Sequence, residues 1–335
     1  MSKVIHINNK LATDETTGFG TNNAMYGRRF LNKDGRPNIR LSGIRYLESL
    51  SPYHYLIQLS RWQFLTFIFS FFVFFNLLFA CLYLLLGIEH LGGITANTPT
   101  QKFIEAFFFS AQTFTTVGYG RINPTGYATS FLASLEAFSG LLFFALATGL
   151  FYARFAQPKA YLRFSNNTLI APFKDGLALM YRMAPYKKNY LTDTEVTLTL
   201  AVVVNDDGRM VNRFYPLELE YSKVNALSLA WTVVHPINER SPLFDWTEDD
   251  FRNTLFELHV YVKAFDDVFS NQVVVRTSYA REEFVCGGKF VPMYRRSENG
   301  ETTILELDKL STFEKVDIKA RMNKVPVDST HESGQ

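Results

Sequence analysis

TTVGYG, residues 115–120, sets two glycines around a tyrosine and two threonines ahead of them. On its N-terminal side, FLTFIFSFFVFFNLLFACLYLLL at 64–86 holds no charged residue. That length matches the roughly 20 residues a helix needs to cross a bilayer. On its C-terminal side, 127–155 carries only Glu136 and Arg154 as charges. Such a helix would be about 45 Å long, longer than the hydrocarbon core, so it is expected to tilt and to project on one side. The first apolar run lies too far from Met1 to read as a secretory signal.

Between the two runs, Thr98-Pro99 is a helix start, with Thr98 as N-cap and Pro99 at the first helical position. Phe103, Ile104, Phe107, Phe108 and Ala111 then recur at helical spacing. A helix over 99–113 is too short to span, and the quoted stretch follows it at once. A short helix, a glycine-rich backbone and a return make a re-entrant loop. Non-helical backbone at membrane depth persists only where it is buried in protein or lines a cavity. Gly118 and Gly120 allow positive φ at little steric cost. Alternating backbone of that kind turns successive carbonyls to one side, and rings of such carbonyls replace the hydration shell of potassium. Thr116, Val117, Gly118, Tyr119 and Gly120 are therefore the candidate ion-binding residues, with potassium as permeant ion and no cofactor. The short helix aims its negative carbonyl end at the same place. One chain holds one copy, so a closed ring requires a symmetric oligomer, a homotetramer.

Composition narrows the alternatives. Lys+Arg (34) and Asp+Glu (32) nearly cancel, which gives no support to a nucleic-acid binder. Two cysteines, Cys81 and Cys286, make a disulfide framework improbable, and six scattered histidines show no zinc spacing. Walker, Gly-x-Ser-x-Gly and metal-ligand motifs are absent from the sequence, so it does not read as an enzyme. Arg28, Arg29, Lys33, Arg36, Arg40, Arg45 and Arg61 precede the first span, whereas Lys102 and Arg121 are the basic residues between the spans. This bias puts both termini in the cytoplasm of a multi-pass protein of the cell inner membrane.

Outside the pore the chain reads as further segments. Residues 1–45 form a flexible cytoplasmic arm, and 46–60 an amphipathic interfacial helix that Pro52 can start. The pore domain is 61–157, with outer helix 62–86, pore helix 99–113, filter 116–120 and inner helix 127–155. Over 158–323, β-branched and aromatic runs alternate around turns such as Lys174-Asp175-Gly176 and Asn205-Asp206-Asp207-Gly208, giving an antiparallel β-sandwich. Residues 324–335 read as a disordered tail.

Further motifs carry a resemblance over roughly 47–322: YHYL at 53–56 with Arg61-Trp62, the filter, TGLFYARFAQP at 148–158, Ser241-Pro242-Leu243, and RTSY at 276–279. With these the chain resembles the prokaryotic-type inward-rectifier potassium channels. The resemblance implies a homotetramer, a cytoplasmic immunoglobulin-like β domain continuing the pore, and gates at the inner-helix bundle and at a cytoplasmic loop. By position, Tyr152 matches the bundle constriction, although an interfacial aromatic anchor is the plainer reading. Phe144 matches the site where strong rectifiers carry an acid. Gly140 matches a proposed hinge, or is a packing glycine. Glu195 matches an acidic ring in the cytoplasmic pore, or lies on a solvated strand face. Lys263 replaces another acid there. The loop 264–271, with Ala264, Phe265 and Asp267, matches the cytoplasmic gate.

Arg61, Trp62, Arg154, Lys159, Lys187 and Lys188 match a site for anionic phospholipid headgroups, with positive-inside anchoring as the alternative. The chain also departs from the resemblance. Gln112 stands where many relatives carry a pore-helix glutamate that pairs with an arginine, so the partner of Arg121 is in doubt. Gln157 replaces a basic residue, and Phe144 with Lys263 argues for weak rectification. The partner of Glu136 is unreadable, but an ionisable residue within a span faces a cavity or a partner. A non-conducting membrane-anchored β domain would not need the re-entrant helix. A transporter subunit would carry several pore repeats, and a nucleotide-gated channel would show β-α-β periodicity after the inner helix.

Overall fold

In the computed structural model, residues 13–14, 18, 29–43, 45, 51–187, 190–206 and 209–318 are described. Lys188 and the tail at 324–335 lie outside the described residues. The chain divides into two compact units, one of residues Ser42–Gln157 and one of Met1–Leu41 with Pro158–Gln335.

The first unit is helical. α1 (Pro52–Gln58) starts with its proline at the first position. It is shorter than the interfacial helix expected over 46–60. Residues 46–50 lie outside the described ones, and Ser60 is the N-cap of the next helix, α2 (Arg61–Leu86). Ser60 and Gln63 form a reciprocal capping box, which starts α2 at Arg61, one residue before the expected 62. α3 (Pro99–Phe114) starts on a capping box of Thr98 with Gln101. α4 runs unbroken over Tyr127–Phe155. α2 and α4 are each long and apolar enough to cross a membrane, whereas α3 has only 16 residues.

A two-stranded ladder, β1 (Leu91–Gly92) with β2 (Asn123–Pro124), ties the end of α2 to the chain beyond the filter. Phe79, Ala80, Tyr83, Leu91, Ala106, Phe109, Ile122 and Ala133 form the core that joins α2, α3 and α4. Rings extend it: Phe71 stacks on Phe143 at 5.0 Å and Phe143 meets Phe114 at 5.5 Å.

The second unit is a sandwich of two five-stranded sheets. One sheet orders β11 (Asn271–Ala280), β10 (Phe256–Asp266), β6 (Leu191–Asp206) and β7 (Arg209–Leu217), with β8 (Lys223–Ala226) also on β6. The other orders β12 (Phe284–Cys286), β4 (Thr168–Phe173), β5 (Gly176–Pro185) and β3 (Leu162–Phe164), with β9 (Trp231–Ile237) on β5. All these pairings are antiparallel except β12 with β4, which is parallel. Alternate residues from both sheets, such as Val196, Leu198 and Leu200 with Leu179, Tyr181 and Met183, share one core. The β4–β5 hairpin turns at Lys174-Asp175, with Lys174 at φ 51°.

Reading 1–45 as one flexible arm is corrected at residues 29–38, which pack on the outer face of the first sheet. Glu257, on β10, is fully buried and accepts hydrogen bonds from the backbone N–H groups of Phe30 (2.6 Å) and Leu31 (3.1 Å). Ser278 donates to the Leu31 carbonyl and Thr277 to that of Lys33. Arg29 and Lys33 both pair with Glu283. Gly35, at φ 78°, passes so close to β11 that a Cβ there would lie 2.3 Å from the Arg276 carbonyl oxygen. A buried carboxylate requires donors, and this segment supplies them.

Candidate functional site

The quoted stretch leaves α3 through a tight turn. The Gln112 carbonyl accepts from the N–H groups of Val117 (2.9 Å) and Gly118 (3.3 Å), so the chain folds back over the last turn of α3. Positive φ falls at Thr116 (59°), Gly118 (56°) and Gly120 (83°), while Val117 and Tyr119 keep negative φ. The glycines suit that geometry at no steric cost. Thr116 adopts it as a β-branched residue, a strained choice that no glycine in the sequence announces. All of residues 115–120 are exposed in the single chain, Tyr119 at 79%. The backbone alternates in hand over five residues and stays exposed in its own subunit.

The surroundings of this stretch come from three helices. Glu136 of α4, fully buried, accepts from the Tyr83 hydroxyl of α2 at 2.6 Å and from the Ser110 hydroxyl of α3. Asn76 of α2 lies 3.1 Å from the same Ser110 oxygen and donates to the Phe72 carbonyl at 2.7 Å. Glu136 thus finds its partners in a polar cluster that joins all three helices. Sequence reading missed Tyr83, Asn76 and Ser110, yet a signal existed. Asn76 and Tyr83 are seven residues apart inside the apolar run, on one helix face.

Gly140 of α4 is a close-approach glycine. A Cβ there would lie 1.9 Å from the Phe114 carbonyl oxygen at the end of α3. Beside it, Phe72, Phe114, Thr115, Thr116, Leu141, Phe143 and Phe144 line an apolar cavity of about 250 Å³ with Gly140. Phe144 (70% exposed) thereby sits next to Thr116, and Tyr152 (75% exposed) lies two turns further along α4.

On the far side of the stretch, Arg121 pairs with Glu105 of α3 at 3.1 Å. Glu105 also accepts from the Thr95 N–H (3.1 Å) and hydroxyl (3.2 Å). Arg121 therefore has a pore-helix carboxylate after all, about two turns before Gln112. Gly93, at φ 80°, passes so near that a Cβ would lie 1.8 Å from the Arg121 carbonyl oxygen.

In the second unit, Glu195 is exposed and stands opposite Lys263 in the β6–β10 register. On its other side it faces Lys223 of β8, which pairs with Asp193 at 2.9 Å. Ala264 is corrected as a pore-lining side chain: it is 2% exposed and belongs to the sandwich core, because alternate residues of β10 point inward. Its neighbour Phe265 points the other way and is exposed, beside a register shift between β10 and β6. Asp267 is exposed, accepts from the Thr192 hydroxyl at 2.9 Å, and gives its N–H to the Tyr190 carbonyl. The turn itself is held by buried Asp266, which accepts from the N–H groups of Val268 and Phe269.

Of the basic residues, Arg61 and Lys159 are exposed, as is Trp62. Lys187 is also exposed, with its ammonium 3.8 Å from the centre of the Tyr161 ring. Arg154 is corrected as a headgroup residue. It is half-buried, and both its terminal nitrogens donate to carbonyls of Leu56, Ile57 and Leu59.

Comparison with known proteins identifies the family of the chain. Residues 162–331 match the model for the inward rectifier potassium channel C-terminal domain, and 61–157 that for an ion channel. The chain is 34% identical to the inward rectifier potassium channel Kirbac3.1 of Paramagnetospirillum magnetotacticum, over 82% of this chain and 92% of that protein. It is 26% identical to the human inward rectifier potassium channel 18, over 84% of this chain and 71% of that one. It is 25% identical to the chicken ATP-sensitive inward rectifier potassium channel 12, over 81% and 68%.

Proposed function

The chain belongs to the inward rectifier potassium channel family, and on that premise we propose that it is a potassium-selective homotetrameric channel that conducts passively through residues 116–120. The observation that carries this reading is the alternation of positive φ at Thr116, Gly118 and Gly120, in a stretch whose residues are all exposed in the single subunit. Four copies around one axis would turn those carbonyls into stacked rings that replace the potassium hydration shell. The carbonyl end of α3 points its partial negative charge toward the same place. Both termini lie in the cytoplasm of a cell inner membrane, in keeping with the basic residues that precede α2.

Tyr152 is the constriction at the inner-helix exit, where four exposed aromatics close a pore by dewetting. The β10–β11 loop, with Phe265 and Asp267, is a second gate, and Gly140 adds a hinge only where its contact with Phe114 yields. Rectification is weak, because Phe144 is apolar and Glu195 has a lysine opposite. Arg61 and Trp62 in one unit, and Lys159 and Lys187 in the other, are exposed groups suited to anionic headgroups. Rubidium-86 uptake into liposomes against an outward potassium gradient tests the reading. Uptake that barium blocks and sodium does not carry is expected. A verified tetramer with no uptake in any lipid composition overturns it.

A further inference from the structure

Asn76, Tyr83, Ser110 and Glu136 are all fully buried. Three oxygen–oxygen contacts hold them together. The Tyr83 hydroxyl meets Glu136 Oε2 at 2.6 Å, Ser110 Oγ meets Glu136 Oε1, and Ser110 Oγ meets Asn76 Oδ1 at 3.1 Å. Two buried oxygens so close together require a hydrogen between them. The orientation of Asn76 is fixed, because its Nδ2 donates to the Phe72 carbonyl at 2.7 Å and a carbonyl can only accept. Asn76 thus turns its own acceptor toward Ser110. The Tyr83 and Ser110 hydroxyls carry one hydrogen each. Three contacts therefore share two hydroxyl hydrogens. With Glu136 ionised, Ser110 serves either the carboxylate or Asn76, and the other contact sets two oxygens face to face with nothing between them.

We infer that Glu136 carries the missing hydrogen: it is a protonated carboxyl in the folded protein, and its proton closes a one-way chain of hydrogen bonds through three helices. Tyr83 donates to Oε2, the acid donates from Oε1 to Ser110, Ser110 donates to Asn76 Oδ1, and Asn76 donates to the Phe72 carbonyl. The chain leaves α2 at Tyr83, passes through α4 and α3, and returns to α2. The bond between Glu136 and Ser110 then runs from the acid to the hydroxyl, the reverse of its direction in an ionised site. Charge leads to the same assignment. A carboxylate buried without a cation is costly, and such a group takes up a proton instead. Tyr83 is the titratable group that faces Glu136 from α2, α3 presents the neutral Ser110, and Glu136 forms no ion pair among the described residues. Arg121, beyond the filter, is engaged by Glu105, and the other charge of α4, Arg154, lies at the far end of that helix. Hydrogen bonds aligned in one direction polarise and strengthen each other. The proton is thus a fixed part of the joint that holds α3 against α2 and α4. The inference does not rest on the channel reading.

Infrared difference spectra of the full-length protein at neutral pH, parent against Glu136→Gln, test the assignment. Glutamine keeps both bonds, accepting from Tyr83 and donating to Ser110, so the variant is expected to assemble. The parent should show the carbonyl stretch of a protonated carboxyl, downshifted in deuterium oxide and missing from the glutamine variant. Carboxylate stretches in that difference instead overturn the inference. Two further variants read the chain. Tyr83→Phe removes one contact together with one hydrogen, so the proton stays, and the band should move to higher wavenumber because the carboxyl carbonyl has lost its donor. Asn76→Leu removes an acceptor but no hydroxyl hydrogen, which leaves Ser110 free to donate to Glu136. The proton should then be held about tenfold less tightly, and the band should disappear at lower pH than in the parent. An unmoved band in Tyr83→Phe, or an unchanged titration in Asn76→Leu, overturns the chain. Gel filtration guards against misfolding, and the phenylalanine variant keeps the test decisive if the leucine one fails to assemble.

Discussion

Glu195 and Lys263 face each other directly across the β6–β10 ladder, so the acid expected to attract cations has a base as its nearest cross-strand neighbour. Opposite charges in that position stabilise the pair and cancel much of its outward field. Lys223, on the other flank of Glu195, cancels more. The protein as it stands should therefore show shallow block by internal spermine or magnesium.

Reversing the lysine tests this. Lys263→Glu places two carboxylates side by side in each subunit and should tighten spermine block by about tenfold, ~1.4 kcal/mol. Phe144→Asp should deepen the voltage dependence further, since Phe144 lines the cavity beside Thr116. Current–voltage curves in planar bilayers with and without spermine read both. Steep block in the parent channel would overturn the account.

Glu136 bonds to two hydroxyls contributed by two other helices. Tyr83→Phe removes one donor and should lower stability by about 1 kcal/mol. Glu136→Ala leaves the Tyr83 hydroxyl buried without its acceptor, leaves Asn76 as the acceptor for Ser110, and opens a cavity, a loss of about 3 kcal/mol or more. Thermal dissociation of the tetramer orders the variants. Sodium leak in the alanine variant is expected as well, because Ser110 stands six residues before Thr116, near the end of the helix that leads into the filter.

Much of this organisation was legible in the residues, and the part that was not has a physical reason. α3 and α4 end within a residue of the expected limits, because Pro99 and the apolar periodicity are local signals. Long-range pairings were not legible. Glu105 and Arg121 are 16 residues apart, and Arg154 and Leu59 are 95 apart, so nothing in their spacing announces the pair. Positive φ at Gly118 and Gly120 follows from glycine itself, but the same geometry at Thr116 is imposed by the turn over Gln112. The arm at 29–38 read as flexible because it is polar and glycine-containing. What orders it lies far along the chain: buried Glu257, with Thr277, Ser278 and Glu283 beside it.

Two glycines of α4 should behave oppositely. Gly140→Ala pushes a methyl to within 1.9 Å of the Phe114 carbonyl oxygen and must shift the end of α3. Its expected result is loss of rubidium uptake or of selectivity. Gly149→Ala meets nothing within 4 Å and should gain about 0.5–1 kcal/mol of helix stability. Equal tolerance of both would mean that the contact at Gly140 is not what holds the filter.

Glu257 gives the arm a pH dependence. Burial pushes its carboxyl up, but His259 and the Phe30 N–H outweigh burial and hold it below the ordinary value of 4.5. A depressed acid stabilises the folded form above its ordinary value and loses that contribution as pH falls through the depressed one. Arm docking should therefore be constant from neutral pH down to about 4.5 and weaken below it. A spin label at Asn38 reads this as a gain in mobility in acid. Glu257→Gln should release the arm at neutral pH, at a cost of about 2 kcal/mol. A label that stays immobile in both cases would place the anchor elsewhere.

Arg121 and Glu105 should prove to be a working pair at the outer end of the filter. Arg121 follows Gly120 directly, and its partner sits in the first half of α3, so the pair bridges the two ends of the re-entrant loop. Arg121→Glu sets two carboxylates against each other and should raise sodium permeability in low potassium. The exchange Glu105→Arg with Arg121→Glu restores the attraction, and most of the selectivity should return. Recovery must stay incomplete, because Glu105 also accepts from the Thr95 N–H and hydroxyl, and arginine has no acceptor to offer them. Bi-ionic reversal potentials for the parent, the single variant and the exchange decide the matter. A single variant with the parent's selectivity would reduce the bridge to a screened surface contact, the ordinary fate of exposed ion pairs.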